Sequence, residues 1–278
     1  MNKPACIACD LDGSLLNSKK QICPEDKVTI QKLKAMGVPV FVCTGRPAEF
    51  AKQTVSEIGF DYPVCGCNGG YIYDYRGGRV LYAVPSIPAA TARSIRAFLL
   101  EKGYPHMIYT TDGPLFDAPD SKRTLFWKKQ LAENFAPENA FAIRYIDDPD
   151  IDLDRMHILK VLVCYVPDEA KEQFERRFNQ NGDYEVAWSD KAILDINTAG
   201  TNKGSGLQRL SELFHFDLCQ TLVLGDNFND TSMLKICGLP VVPQNGEEDV
   251  KAIARYVTAD NDHAPLTHAV EALFPGLL

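Results

Sequence analysis

Three short runs of acidic, amide and hydroxyl residues stand directly after apolar stretches, and their residue types suit phosphate and metal chemistry. Asp10-Leu11-Asp12-Gly13-Ser14 follows the apolar residues 5–9. If the backbone stays extended, side chains two apart lie on one side, so Asp10 and Asp12 can address one ligand before Gly13 lets the chain turn away. Paired carboxylates at a strand end suit a hard divalent cation such as magnesium, with one carboxylate as nucleophile and the other as general acid or base. The same residues also suit a solvated turn. Gly225-Asp226-Asn227-Phe228-Asn229-Asp230 follows the apolar residues 221–224. Asp226 is placed to ligate a metal, whereas Asn229 and Asp230 either cap the following helix or share the site. Phe228 either narrows the site or packs under that helix, and packing is the preferred reading. Thr44-Gly45-Arg46 ends the apolar residues 38–43 and offers a hydroxyl and backbone N–H groups ahead of a helix, a favourable place for a phosphate. Lys203, in Thr201-Asn202-Lys203-Gly204, would neutralise a phosphate held among carboxylates, or else is a solvated surface lysine.

These residues need elements to position them. Residues 5–9 read as a strand, followed by a helix opened by Pro24 with Glu25 and Asp26 in its first turn and ended by Gly37. Residues 38–43 read as the next strand, followed by a helix starting at Pro47 with Gly59 just past its end. Strand, helix, strand, helix implies a parallel sheet, and ligands of such sheets bind at the carboxyl ends of the strands, where the acidic runs fall. After Pro63, residues 64–67, 71–73 and 80–83 read as short strands. Residues 85–190 change texture. Helical stretches at 89–102 and 123–135, strands at 107–110, near 141–146 and at 158–166, and a helix opened by Pro167 suggest an inserted α+β module. The α/β pattern resumes with a helix at 203–214, a strand at 221–224, a helix at 230–236 and a strand at 239–242. The expected organisation is a discontinuous α/β domain, residues 1–84 and 191–278, interrupted by residues 85–190.

Composition narrows the function. The 278 residues are 45% hydrophobic, enough for a sizeable core, and 29 basic against 37 acidic residues leave a net charge of −8. Without a one-sided basic stretch, nucleic acid is an unexpected partner. No run approaches the roughly 18 apolar residues of a membrane span, and residues 1–10 lack a basic region followed by an apolar one, so a cytoplasmic protein with no membrane partner is expected. Nine scattered cysteines do not form the framework of a short exported domain. Cys6 and Cys9, and likewise Cys65 and Cys67, are spaced closely enough to raise zinc or redox chemistry. Side chains three apart on a strand point to opposite faces, however, so Cys6 and Cys9 cannot easily share a ligand and reduced core thiols are expected.

In chain order, Asp-x-Asp-Gly-Ser, Thr-Gly-Arg, Lys and Gly-Asp-x-x-Asn-Asp resemble the motifs of the haloacid dehalogenase-like phosphohydrolases, in particular the Cof-like, class IIB branch. The resemblance covers essentially the whole chain. Asn68-Gly69-Gly70 and Tyr256-Val257-Thr258 with Asn261-Asp262 are similar to further family segments. The resemblance implies a Rossmann-like parallel-sheet core with residues 85–190 as an α+β cap that sets substrate specificity. By resemblance, Asp10 attacks phosphorus to form an aspartyl-phosphate, and Asp12 protonates the leaving oxygen and then activates water. Magnesium is held by Asp10, the backbone carbonyl of Asp12, and Asp226. Thr44 and the Gly45 N–H hold phosphoryl oxygens, Lys203 bridges phosphate and nucleophile, and Asn229 reaches the phosphate. Asp230 supports Lys203 or a metal-bound water, with Ser14 and Arg46 as further supporting residues.

The chain departs from the family pattern at Ser14, where threonine is usual, at residues 242–246, which replace a Met-Gly-Asn-Ala stretch, and at residues 263–266, which replace an acidic turn. The last two are expected to face the cap and alter substrate preference. The five histidines read as surface residues. The expected function is magnesium-dependent hydrolysis of a small phosphorylated metabolite, a sugar phosphate or related cofactor phosphate. A phosphomutase is the runner-up. A catalytically idle metabolite-binding protein is the third reading, against which the competent residue at every motif position argues.

Overall fold

The computed structural model describes residues 3–178, 182–190 and 192–278. In chain order the elements are β1 (Cys6–Cys9), α1 (Pro24–Ala35), β2 (Val40–Cys43), α2 (Ala48–Ile58), β3 (Val64–Gly66), β4 (Tyr71–Asp74) and β5 (Arg79–Ala83). There follow α3 (Ala89–Lys102), β6 (His106–Thr110), β7 (Gly113–Phe116), α4 (Lys122–Asn134), β8 (Arg144–Tyr145), β9 (Ile158–Cys164), α5 (Lys171–Phe178), β10 (Tyr184–Asp190) and β11 (Ile193–Thr198). The last group is α6 (Lys203–Phe214), β12 (Thr221–Leu224), α7 (Thr231–Ile236), β13 (Leu239–Pro243), α8 (Glu248–Lys251), β14 (Tyr256–Thr258) and α9 (Pro265–Leu273). None of the described helices is long and apolar enough to cross a membrane.

The chain divides into two compact units. The first comprises residues 1–45, 54–81 and 202–278; the second, residues 46–53 and 82–201. In the first, the strands form one sheet in the order β14-β13-β12-β1-β2-β3-β4-β5. The pairs from β14 through to β3 are parallel, and β3 with β4 is antiparallel. The interior strands are apolar at successive positions rather than alternating: Ile7, Ala8, Phe41, Leu222 and Val223 are all fully buried. That pattern is the signature of a sheet covered on both faces. Because β1 lies between β12 and β2, the residues after those three strands, Asp10, Gly225-Asp226 and Thr44-Gly45, emerge at neighbouring strand ends.

The second unit is a six-stranded sheet in the order β10-β11-β9-β6-β7-β8, antiparallel except for β7 with β8. One core cluster joins Ile95, Phe98 and Leu99 of α3 and Phe174 of α5 to Ile108, Val161, Val163, Leu194 and Ile196 of the sheet. Lys160 and Asp195 form a buried ion pair at 2.8 Å on adjacent strands. Two features differ from the sequence reading. Strand β11 pairs with β9 and β10, so this sheet continues past residue 190, the expected end of the insert. Residues 46–53, the start of α2, also group here: the Phe50 ring stacks on Trp127 at 3.7 Å and lies 4.9 Å from that of Phe141. A hairpin strand and an aromatic contact across the chain are tertiary facts that local pattern does not announce. The expected strand near 141–146 is only Arg144–Tyr145.

Candidate active site

Asp10 ends β1 in a buried position, its N–H donating to the Leu224 carbonyl at 2.8 Å, which ties the nucleophile candidate to the neighbouring strand end. Lys203 opens α6. Asn202 caps that helix in a reciprocal box with Ser205, and the Gly204 N–H donates to Ser232 Oγ at 2.9 Å, so the lysine backbone is held from both sides. Gly204 sits so close to α7 that an added Cβ would lie 2.7 Å from the Ser232 carbonyl oxygen. The Lys203 side chain is wholly buried rather than solvated, and its ammonium lies 2.6 Å from both Asp10 Oδ1 and Asp230 Oδ1.

The loop after β12 is organised around Asp230. Its Oδ2 accepts from the backbone N–H groups of Asp226 at 2.9 Å and Asn227 at 3.0 Å, while Oδ1 holds Lys203. One residue therefore completes the capping box of the 3-10 turn with Asn227 and anchors the lysine, whereas at the start of α7, the helix it was expected to cap, its side chain makes no capping bond. Asp226 accepts a 2.7 Å hydrogen bond from Ser14 Oγ. Gly13, at φ 80°, leaves no room for a Cβ beside the Asp226 carboxylate, which explains the glycine at this turn. The oxygens of Asp10, Asp226 and Asp230 lie within 4.8 Å of one another, the one such group of potential metal ligands among the described residues. Three hard carboxylates against one lysine fit a divalent cation bound by oxygen. No cysteine joins such a group, and all nine are free thiols.

Electrostatics carry the same imbalance. Burial, reinforced by the charges of Asp230 and Asp226 and opposed by Lys203, pushes the Asp10 carboxyl well above its usual range. Burial and then Asp230 raise Asp226 to about 7, against the lowering effect of the Ser14 hydroxyl and Lys203. Lys203 is driven upward by Asp10 and Asp230, which outweigh its burial, so it stays an ammonium.

Thr44 is buried after β2. Its N–H donates to the Cys65 carbonyl at 2.8 Å, and its carbonyl accepts from the Asn68 N–H at 3.0 Å. Asn68 adopts a left-handed conformation, φ 55°, inside the turn Cys67–Gly69, and its Oδ1 accepts from Asn229 Nδ2 at 3.2 Å. A Cβ on Gly45 would stand 3.0 Å from that same Asn68 oxygen. Thr44, Gly45, Asn68 and Asn229 thus form one patch, which brings the Asn68-Gly69-Gly70 segment into the site. An asparagine ahead of two glycines is the signal that marks it, since asparagine tolerates this conformation best after glycine.

Asp12 is set differently from Asp10. Its half-exposed carboxylate pairs with Lys20 at 2.8 Å and is not part of the acidic group, so its expected metal contribution rests on its backbone carbonyl alone. Lys20 has φ 61°, and no sequence signal singles it out. Arg46 is half-buried and opens the segment that groups with the second unit. Phe228 is 54% exposed at the start of a 3-10 turn, so it does not pack under α7 as expected.

The sequence profile of haloacid dehalogenase-like hydrolases matches residues 7–270. The chain is 26% identical over 286 residues to the 5-amino-6-(5-phospho-D-ribitylamino)uracil phosphatase YwtE of Bacillus subtilis, covering 98% of each chain. It is 28% identical over 258 residues to the pyridoxal phosphate phosphatase YbhA of Escherichia coli, covering 92% of this chain and 93% of that one. A solved haloacid dehalogenase-like hydrolase of B. subtilis superposes with a TM-score of 0.81 at 26% identity, over 97% of this chain and 99% of the other. With the acidic strand ends and the buried lysine in place, this chain belongs to the haloacid dehalogenase-like hydrolase family, as a phosphatase.

Proposed function

We propose that the protein hydrolyses a small phosphorylated metabolite, with Asp10 as nucleophile and magnesium as the cation of the acidic group. The observation that carries this reading is the fully buried Lys203, shared at 2.6 Å between Asp10 and Asp230 while Asp226 completes a trio of carboxylates. An ion arrangement this costly to bury is expected where charge must be handled during reaction.

Asp10 and Asp226 would hold magnesium with the Asp12 carbonyl. Once bound, the ion screens the carboxylates from a dianionic phosphate and offsets charge that develops on its oxygens. The chain's own residues supply the rest. Thr44 and the Gly45 N–H orient the phosphoryl group, with Asn229 beside them, and Lys203 neutralises both nucleophile and phosphate. The Asp10 oxygen forms a bond to phosphorus as the bond to the leaving oxygen breaks. Asp12 gives that oxygen its proton, then takes one from the water that cleaves the aspartyl-phosphate. Ser14 orients Asp226, and Asp230 orients Lys203. The named activities of the relatives, on a ribityl phosphate and on pyridoxal phosphate, support a sugar phosphate or related cofactor phosphate as substrate.

The test is a panel of sugar phosphates, pyridoxal phosphate, flavin mononucleotide and nucleotides with and without magnesium, repeated with Asp10→Asn. Magnesium-dependent release of inorganic phosphate, lost in a folded Asp10→Asn variant, is expected. Unimpaired turnover by that variant overturns the nucleophile assignment.

A further inference from the structure

The residues 242–246 that depart from the family pattern and the Asn261-Asp262 pair meet at the site rather than standing apart. Asn245 Nδ2 donates to the Gly13 carbonyl at 2.8 Å, and Asn245 Oδ1 accepts from the Asn261 N–H at 2.9 Å. Asn261 Nδ2 in turn donates to the Leu16 carbonyl at 2.9 Å. Two residues beyond Asn245, the Glu247 N–H donates to the Asp226 carbonyl at 3.0 Å. Gly246 permits this approach: an added Cβ would lie 3.1 Å from that carbonyl oxygen and 2.7 Å from Val242 Cγ1. One short turn therefore grips the Asp10–Leu16 segment with one hand and the Asp226 loop with the other.

We propose that Asn245 and Asn261 are positioning residues that fix the spacing between the Asp10–Asp12 turn and Asp226, and so hold the carboxylate cradle at the size magnesium requires. The inference rests on the magnesium-phosphatase reading. Asn245 is exposed, so packing does not account for its two side-chain hydrogen bonds. Amides are the suitable side chains here, because they donate to the two carbonyls without adding charge to a cradle already rich in anions. Magnesium demands near-ideal octahedral geometry with ligands at roughly 2.0–2.1 Å, whereas calcium accepts roughly six to eight oxygens at about 2.3–2.6 Å. Loosening the clamp should therefore weaken magnesium selectively.

The experiment is calorimetric titration of the metal-free full chain with magnesium and, separately, calcium, for the wild type, Asn245→Ala and Asn261→Ala. Loss of partners around metal ligands typically costs about ten- to a hundredfold in affinity. A rise of about tenfold in the magnesium Kd, with a clearly smaller change for calcium, is expected in each variant. Equal weakening of both cations, as general loss of structure would give, overturns the proposal, and so does an unchanged magnesium Kd. Melting in a chelator identifies a variant that does not fold; Asn261→Ala, which spares the bond to Gly13, and the milder Asn245→Ser then decide. A wild type that binds magnesium but hydrolyses no ester rejects the phosphatase reading while the titrations still judge the clamp. A wild type that binds no magnesium overturns both.

Discussion

Lys203 shows what a residue type and its neighbours in sequence leave open. Before a helix a lone lysine more often reads as a surface residue than as a catalytic cation, because burial is a property of the packed molecule; here its ammonium has Asp10 and Asp230 as partners. Lys203→Met leaves those carboxylates buried without their cation. The expected loss is about 3–5 kcal/mol at pH 8 in a chelator, measured by denaturant unfolding. That loss should shrink as the pH falls and the carboxylates take up protons. Ser14 was legible as a hydroxyl donor but not as the partner of Asp226, since the two meet only through the sheet. Its hydrogen bond lowers the Asp226 carboxyl, so Ser14→Ala should raise the Asp226 pKa above about 7 in metal-free protein, read by carbon NMR of the carboxyl groups. Asp230, read in sequence as a cap of the following helix, a site residue or both, instead gives one oxygen to the N–H groups of its own loop and the other to Lys203, and one of the two readings of Phe228 fails because its ring faces solvent.

Elements were readable where local signals suffice. Apolar runs marked β1, β2 and β12, and prolines marked the start of α1 and, within one residue, that of α2. The β10–β11 pairing and the aromatic anchoring of α2 were not readable, because each depends on partners distant in the chain. The join between α1 and α9 is of the same kind. Asp26 of α1 accepts from both the N–H and Oγ1 of Thr267 at 2.8 Å, supplying the first turn of α9 with an acceptor that its own cap residue, Ala264, lacks. Burial, only partly offset by Thr267, raises the Asp26 carboxyl. A raised value in the fold means that ionisation there is unfavourable. The stability from this group is full below the ordinary carboxylate range and declines as pH rises through the folded value. Asp26→Asn, which keeps one acceptor oxygen, should gain in melting temperature relative to wild type between pH 4 and pH 7. Asp26→Ala, which loses both bonds, should cost about 1–3 kcal/mol.

Across the whole molecule, most of the nine thiols behave as core rather than chemistry. Seven are buried, Cys237 is half-buried and Cys219 is exposed. Burial raises Cys237 to about 12 and Cys164 to about 11, so neither forms thiolate readily. Ellman's reagent should modify Cys219 first, the buried thiols should react only on unfolding, and reductant should leave the melting temperature unchanged. The acidic net charge, which argued against nucleic acid in sequence, is compatible with the proposed phosphatase site because field at a site is set by nearby groups, here Lys203 and the backbone N–H groups of strand-end loops. The sheet order also governs how the chain acquires its structure during synthesis. Strand β1 leaves the ribosome long before β12, so Cys6 must wait for Thr221 before its register on that side exists. Residues 82–201 emerge as one continuous stretch in the interval and carry a complete six-stranded sheet. The middle of the chain is thus able to fold while the edge of β1 that pairs with β12 stays uncovered, a long-range closure of the kind that slows folding and invites aggregation. Nascent chains stalled before β12 should show a protease-resistant middle and a sensitive N-terminal segment.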